Sequence, residues 1–203
     1  MHPTKQILLE TTVALLDELP SDEVTSDTVL RRSGISKGSL YHHFPDFGHL
    51  IDDAEVIRFA RYVDGSIAVL TAIIREATTA QELIASLKAV TRATQSPGRQ
   101  ESRRARIYLL GLATQRPHLQ ELLGREQQRL TEGLADLFRE AQARGWFRSN
   151  LDPMAAALLV QTYSLGLWLD DITPDPVHTD SWVALIDELV DRLFLDNTST
   201  TAI

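Results

Sequence analysis

TSDTVLRRSGISKGSLYHHFPDFGHL, residues 25–50, encodes a short helix, a glycine turn, a second short helix and the start of a third. Thr25 and Ser26 are capping residues, because their hydroxyls accept hydrogen bonds from the free N–H groups of a helix start. Asp27 follows where the helix dipole favours negative charge, and Arg31 and Arg32 close the same helix where it favours positive charge. Val24, Val29 and Leu30 supply its apolar positions. Gly34 ends that helix by taking a positive φ, Ile35 plugs the corner, and Ser36 caps the next helix. There Leu40 and Phe44 lie four residues apart and share a face that points to a core. The opposite face carries Gly38, Ser39, Tyr41 and His42, flanked by Lys37 and His43. Small and hydrogen-bonding residues in that arrangement do not build a core; they suit a helix that approaches base edges closely. Pro45 stops the helix, and Asp46 caps the one that follows. Two short helices about a glycine corner form the layout that places the second helix in the DNA major groove.

The run Gly34–Phe44, GISKGSLYHHF, resembles the signature of the tetracycline-repressor (TetR) family of transcriptional regulators. In that family a leucine–tyrosine pair, a histidine, and a phenylalanine or valine sit on the recognition helix. Val24-Thr25-Ser26 and the preceding helix, Thr4 to Leu19, fit the same pattern, so the likeness covers roughly the first quarter of the chain. It implies an all-α protein of about nine helices. Residues 1–47 would be a helix-turn-helix DNA-binding domain, and residues 48–203 a ligand-sensing and dimerising helical domain. It implies DNA contacts from Thr25, Ser26, Ser36, Lys37, Gly38, Ser39, Tyr41, His42 and His43, with Tyr41 on phosphate and His42 toward bases. Three positions depart from the family pattern. Pro20 stands where a glycine is frequent, and Asp27 where a basic or neutral residue is usual. Phe47 replaces the lysine that commonly opens the fourth helix and grips a phosphate. Without that lysine, affinity is expected to rest on Lys37, Tyr41, helix-start N–H groups and protonated His49.

Composition narrows the partners. The 203 residues, 43% hydrophobic, make a globular chain with more length than one helix-turn-helix needs. The absence of cysteine removes disulfides, thiolate metal sites and cysteine nucleophiles together. The N-terminus, MHPTKQILLE, lacks the charged-then-apolar pattern of a signal peptide. The longest apolar run, Met154 to Leu169, is broken by Gln161, Thr162 and Ser164 and is too short for a bilayer. A soluble, cytoplasmic protein without a membrane partner is expected. The formal net charge is −8, and residues 1–50 hold four Lys/Arg against seven Asp/Glu. A nonspecific DNA coater is strongly basic, whereas a dimer that reads sequence needs only a positive docking face. Arg31, Arg32 and Lys37 fall within the helix-turn-helix, so a small positive face on an acidic body is expected.

The remaining sequence reads as helices. The first helix has an apolar stripe at Leu8, Thr11, Leu15 and Leu19. A long fourth helix runs from Asp46 to about Arg75, past Gly65-Ser66, where a kink or a close neighbour is expected. Thr79 caps a helix through Gln95, and Ser96-Pro97-Gly98 breaks the chain. A helix to Gln115 follows, then a long one from Pro117 to Gly145. Asp152-Pro153 opens another, ending near Asp171. The last helix, about Thr179 to Leu195, carries the stripe Trp182, Leu185, Ile186, Leu189, Val190 and Leu193.

These helices offer few chemical handles. The six histidines show no metal-ligand spacing, and there is no P-loop, G-x-G-x-x-G or nucleophile elbow around Ser39. No catalytic residue, metal or cofactor is therefore assigned, and no enzymatic activity is expected. Arg99, Arg103, Arg104 and Arg106 form either a solvated face that pairs with acids such as Glu101 or with neighbouring helices, or an anion or phosphate contact. Tyr62, Ser66, Tyr108, Thr114, Gln161, Tyr163 and Trp168 interrupt apolar faces; each is either an ordinary core residue or the handle of a ligand pocket. Gly166, Trp182, Leu185, Ile186, Leu189 and Leu193 are the expected homodimer interface. The reading that unites these points is a repressor released from double-stranded operator DNA by a small hydrophobic effector. The alternatives are a constitutive DNA binder acting through a protein partner and a helical-bundle enzyme with an added helix-turn-helix. DNA binding separates the last from the others, and a small-molecule thermal-shift screen separates the first two.

Overall fold

A computed structural model describes residues 1–177 and 179–194, with side chains through residue 192. All regular structure among them is helical: α1 (Pro3–Glu18), α2 (Ser26–Ser33), α3 (Lys37–His43), α4 (Phe47–Glu76), α5 (Ala80–Gln95), α6 (Gln100–Ala113), α7 (Pro117–Ala143), α8 (Pro153–Gly166), α9 (Trp168–Asp171) and α10 (Thr179–Phe194). A single 3₁₀ turn, Pro97–Arg99, lies at the expected break. The single turn α9 continues α8 after Leu167, so with those two taken together the helices number nine among the described residues, as expected for an all-α chain. No described helix is long and apolar enough to cross a membrane.

The chain divides into two compact units, residues 1–64 with 109–127 and residues 65–108 with 128 onward. Helices α4, α6 and α7 supply residues to both. In the first unit, Leu8, Val13, Leu16, Val29, Leu40, Phe44 and Leu50 form one core. The buried positions of α1 are Leu8, Leu9, Thr12, Val13, Leu15 and Leu16; Thr11 and Leu19, expected on the stripe, are only half-buried. Thr12 is tolerated there because its hydroxyl donates to Leu8 O at 2.8 Å. Ile35 and Phe47 pack on the edge of the same core. Pairs of ionisable side chains tie α4 to its neighbours. Arg116 reaches Asp52 at 2.6 Å, His118 Nε2 reaches Asp53 Oδ1 at 2.6 Å, Lys5 reaches Asp53 at 3.4 Å, and Arg58 reaches Asp17 at 2.9 Å.

In the second unit, α5 packs against α8 and α10. α4 runs unbroken through Gly65, and the close neighbour expected there is not found: a Cβ built on it meets nothing within 4 Å. The close approach lies at Gly133 of α7, where a Cβ would meet Ile67 Cγ1 at 2.8 Å. Gly145, at φ 72°, follows the end of α7 as a left-handed residue, and Asp152 caps α8 through Ala155 N with Pro153 in its first turn.

Within the arginine cluster, Arg103 pairs with an acid of a neighbouring helix, as the first reading allowed, but does so buried and not on a solvated face. Arg103 is buried, and its guanidinium makes a two-pronged pair with Asp171 at 2.7 and 2.8 Å. It also donates to the carbonyls of Thr94 and Ser96 at the end of α5, while Gln100 Nε2 donates to Asp171 O at 3.1 Å. One arginine thus supplies donors to carbonyls at the end of α5 and holds α6 to α9. Removing one member of a buried pair strands the other charge. Arg103→Ala is expected to lower the unfolding free energy by about 3–5 kcal/mol in urea titrations. Arg103→Met combined with Asp171→Leu should recover most of that loss.

Candidate nucleic-acid interface

The recognition helix α3 is seven residues long and is fixed at both ends. Ser36 caps it: Ser39 N donates to Ser36 Oγ at 3.2 Å, and the two serine hydroxyls lie 2.9 Å apart. At its other end Phe44 N donates to Leu40 O at 2.9 Å. Helix α2 is held by a reciprocal cap in which Thr28 N donates to Thr25 Oγ1 and Thr25 N to Thr28 Oγ1, at 3.2 and 3.0 Å. Gly34, at φ 69°, makes the corner between the two helices.

With Leu40 and Phe44 buried, the other face of α3 turns to solvent. Lys37, Gly38, Tyr41 and His42 are exposed, and Ser39 is half-exposed. Nothing lies within 4 Å of a Cβ built on Gly38, so this face is open. Thr25 is exposed and Ser26 half-buried at the start of α2. His43 departs from the rest. It is half-buried, with its ring 4.7 Å from that of His2 and 5.0 Å from that of His42. Burial, and then the nearby His2, His42 and Lys5, lower its pKa.

The positive face is smaller than the sequence suggests. Arg32 is drawn into a two-pronged pair with Glu18 of α1, at 2.5 and 2.7 Å, and that hydrogen-bonded pairing pulls the Glu18 carboxyl below its ordinary value. Lys5 sits 4.8 Å over the Phe44 ring and also pairs with Asp53. Asp46 caps α4 by accepting from His49 N at 2.9 Å, and His49 Nδ1 lies 2.9 Å from the same carboxylate oxygen. The His49 imidazole is therefore occupied by a carboxylate. Exposed Arg31 and Lys37 remain as the cations on α2 and α3 without a carboxylate partner among the described residues. The ties from Arg116 and His118 to Asp52 and Asp53 went unnoticed in the sequence; the adjacent pair of acids on an otherwise apolar helix start was the available signal.

Of the seven pocket candidates, Tyr163 alone lines the cavity of the second unit. That cavity measures about 170 Å³, is lined mainly by apolar side chains, and is bounded also by Phe138, Phe147, Val160, Leu189 and Val190. The Tyr163 hydroxyl lies 3.2 Å from Thr91 Oγ1, and burial pushes its pKa up. Gln161 is buried but satisfied, donating to Thr131 Oγ1 at 3.0 Å and Ala157 O at 3.3 Å. Tyr62 and Tyr108 are exposed, and Ser66 and Trp168 are half-buried. Thr114 donates to Gly111 O at 2.7 Å and borders a separate cavity of about 170 Å³ between α6 and α7 of the first unit. Among the expected interface residues, Ile186 is buried within its own unit, Leu185 is exposed, and Trp182, Leu189 and Gly166 are half-buried. The Leu193 side chain lies outside the described residues. Leu158 and Leu159 of α8 are also exposed.

The depressed His43 has a pH consequence. Its folded pKa lies below the ordinary histidine value, so the unfolded chain binds more protons as the pH falls below about 6.5. Stability from this group is complete above that pH and is lost as the pH falls through the lower, folded value. Chemical denaturation should show wild-type stability falling between about pH 7 and pH 5, and His43→Asn should flatten that slope.

Residues 8–52 match the family model described as bacterial regulatory proteins, tetR family. Residues 84–195, more than half the chain, match the one described as BetI-type transcriptional repressor, C-terminal. No curated protein matches the chain. Among solved structures, a TetR-family transcriptional regulator of Mesorhizobium loti superposes with a TM-score of 0.66 at 15% identity, covering 93% of this chain and 94% of that one. A transcriptional regulator of Saccharomonospora viridis, solved in complex with choline, gives 0.65 at 18% identity over 95% and 98%. GusR of Salmonella enterica gives 0.58 at 21% identity over 95% of each chain. At these identities the structures speak to fold, while the matched family models, which together span the recognition helix and most of the second unit, place the chain in the TetR family of DNA-binding transcriptional regulators.

Proposed function

We propose that the protein is a homodimeric repressor that reads operator DNA through α3 and leaves it when a small, mainly apolar ligand occupies the second unit. The observation that carries the DNA half is the solvent face of α3. Lys37, Gly38, Tyr41 and His42 stand exposed on a helix anchored from behind by buried Leu40 and Phe44. Lys37 and the Tyr41 hydroxyl suit phosphate oxygens. His42 beside the open Gly38 suits base edges, since a glycine leaves room for close approach. Thr25, Ser26, Ser36 and Ser39 set the helix starts whose N–H groups meet phosphate, and His43 supports His42 from behind.

The apolar cavity behind Tyr163 supports the ligand half, as does the choline bound to the Saccharomonospora viridis relative in fold. A ligand can lower operator affinity only by preferring the DNA-incompetent state, typically by ~1–3 kcal/mol, and operator DNA must weaken the ligand by the same factor. Dimerisation is supported by exposed leucines on two helices, Leu158 and Leu159 on α8 and Leu185 on α10. Apolar side chains this large on neighbouring surface helices suit a covered interface, and one burying more than ~1,200 Å² is the stable class.

Three measurements test these parts. Lys37→Ala should weaken binding to operator and random DNA alike and reduce the salt slope by about one. His42→Ala should cost ~1–3 kcal/mol on the operator and less on random DNA, the mark of base readout; equal losses on both would remove His42 from that role. Leu158→Glu with Leu185→Glu should convert the dimer to monomer in sedimentation at micromolar protein while the helical circular dichroism persists.

A further inference from the structure

Three histidines meet beside the recognition helix. His2, the N-cap of α1, places its ring 4.7 Å from that of His43, and His43 lies 5.0 Å from His42. His2 and His42 are exposed; His43, between them, is half-buried and keeps part of its ring open to solvent. The row of imidazoles therefore runs from the outward face of α3 onto the start of α1, outside the helix-turn-helix itself.

The surroundings of this row lack negative charge. His2, His42 and Lys5 are the charged or titratable groups that act on His43, and no carboxylate is among them. Lys5 lies over the Phe44 ring and pairs with Asp53. His49 and His118, by contrast, each face an acid, Asp46 and Asp53. An imidazole already beside a carboxylate gains little when a phosphate arrives. One kept neutral by burial and by neighbouring positive charge gains much, because an opposite charge favours the protonated form. His2 is constrained differently. Its Nδ1 accepts from Thr4 N at 3.2 Å, which requires that nitrogen to be unprotonated. While the cap holds, the ring carries its N–H at Nε2, so His2 can donate to a phosphate oxygen without taking up a proton.

We infer that His2 and His43 together form a DNA-phosphate contact beside the base-facing His42, and that DNA binding draws a proton onto His43, so that affinity rises as the pH falls. The inference rests on the DNA-reading role given to α3 above and adds His2 and the proton to it. In the free protein, burial and then His2, His42 and Lys5 hold the His43 pKa below the ordinary histidine value. A phosphate against the row raises it again. A proton is taken up between the two values. Affinity therefore climbs as the pH falls through the DNA-bound value and levels off below the free one. Histidine is the side chain whose charge changes in this range, and phosphate oxygens, acceptors only, are the groups that meet N–H donors at the edge of a recognition helix.

The probe is a duplex selected from random sequence by the full-length protein at about pH 7. Its affinity is read by fluorescence anisotropy at fixed ionic strength from about pH 8 to about pH 6, with circular dichroism showing the chain folded throughout. Wild type is expected to bind several-fold tighter at the acid end, one proton setting a ceiling of about ten-fold per pH unit. Calorimetry in two buffers of different ionisation enthalpy should show proton uptake on binding. His43→Asn should remove both the slope and the uptake, and His43→Gln carries the test should the asparagine variant fail to fold. His2→Asn keeps a capping side chain and removes the imidazole; it should weaken binding several-fold even at the alkaline end. His49→Asn should keep the slope. A flat profile in wild type, a slope that survives in the His43 variants or vanishes in His49→Asn, or unchanged affinity in His2→Asn overturns the inference and leaves the DNA-reading role standing. A chain that selects no duplex removes that role and the inference with it.

Discussion

A helix of seven residues has no stability of its own in water, and α3 is such a helix. Its existence and its direction both come from burying Leu40 and Phe44 in the core shared by α1, α2 and the first turns of α4. Everything proposed for DNA recognition depends on that anchorage. The seven residues divide into one inward face and one outward face, and the outward face is polar because the inward one holds the apolar side chains. The Ser36 and Thr25 caps then fix where each short helix starts, so the donors that meet phosphate are placed by the same few residues that stop the helices from fraying. Loss of the core contact would therefore remove recognition without touching any residue that faces DNA.

The electrostatics of this head are unusual for a DNA reader, and the structure gives the physical reason. Arg32 is held by Glu18, Lys5 by Asp53, and His49 by Asp46. Phe47, at the position where relatives commonly place a lysine, packs on the core edge. Cations that could have met phosphate are engaged in holding the head together. Exposed pairs of this kind contribute little to stability, but each takes a positive charge out of the field seen by DNA. The chain carries a net charge of −8, so long-range attraction to arbitrary DNA is weak. On the proposed reading, what remains is short-range: Lys37, Tyr41, His42 and helix-start N–H groups. Such a head would separate operator from random DNA more by fit than by charge.

Much of this was legible in the sequence because it was local. The Gly34 corner, the Ser36 cap, the Leu40–Phe44 face and the Asp152-Pro153 start each involve residues within four positions of one another. The helix count and most helix ends followed from the same short-range signals. What was not legible depended on partners far along the chain. Arg103 looked like one of four surface arginines until Asp171 was brought to it across 68 residues. Gly65 looked like the natural place for a close approach, but only the packing of Ile67 against Gly133 decides where backbones meet. The last helix read as one apolar stripe, yet Ile186 and Val190 are buried while Leu185 is exposed. Periodicity identifies an apolar face; it does not say which neighbour will cover which part of it.

The division of α10 matters for how a ligand could act. Leu189 and Val190 line the cavity, Ile186 is buried and Asp187 pairs with Arg92 of α5, whereas Leu185 is exposed. On the proposed reading one helix carries both cavity-lining groups and a dimer contact. Packed interfaces have discrete arrangements and do not deform continuously. On that reading a ligand in the cavity would favour one seating of α10 on α5, and exposed Leu185 would be repositioned with it. Ligand preference for one seating and DNA preference for another is then sufficient for linkage between the two sites. No long chain of intermediate contacts is needed, because both surfaces draw on one sixteen-residue helix.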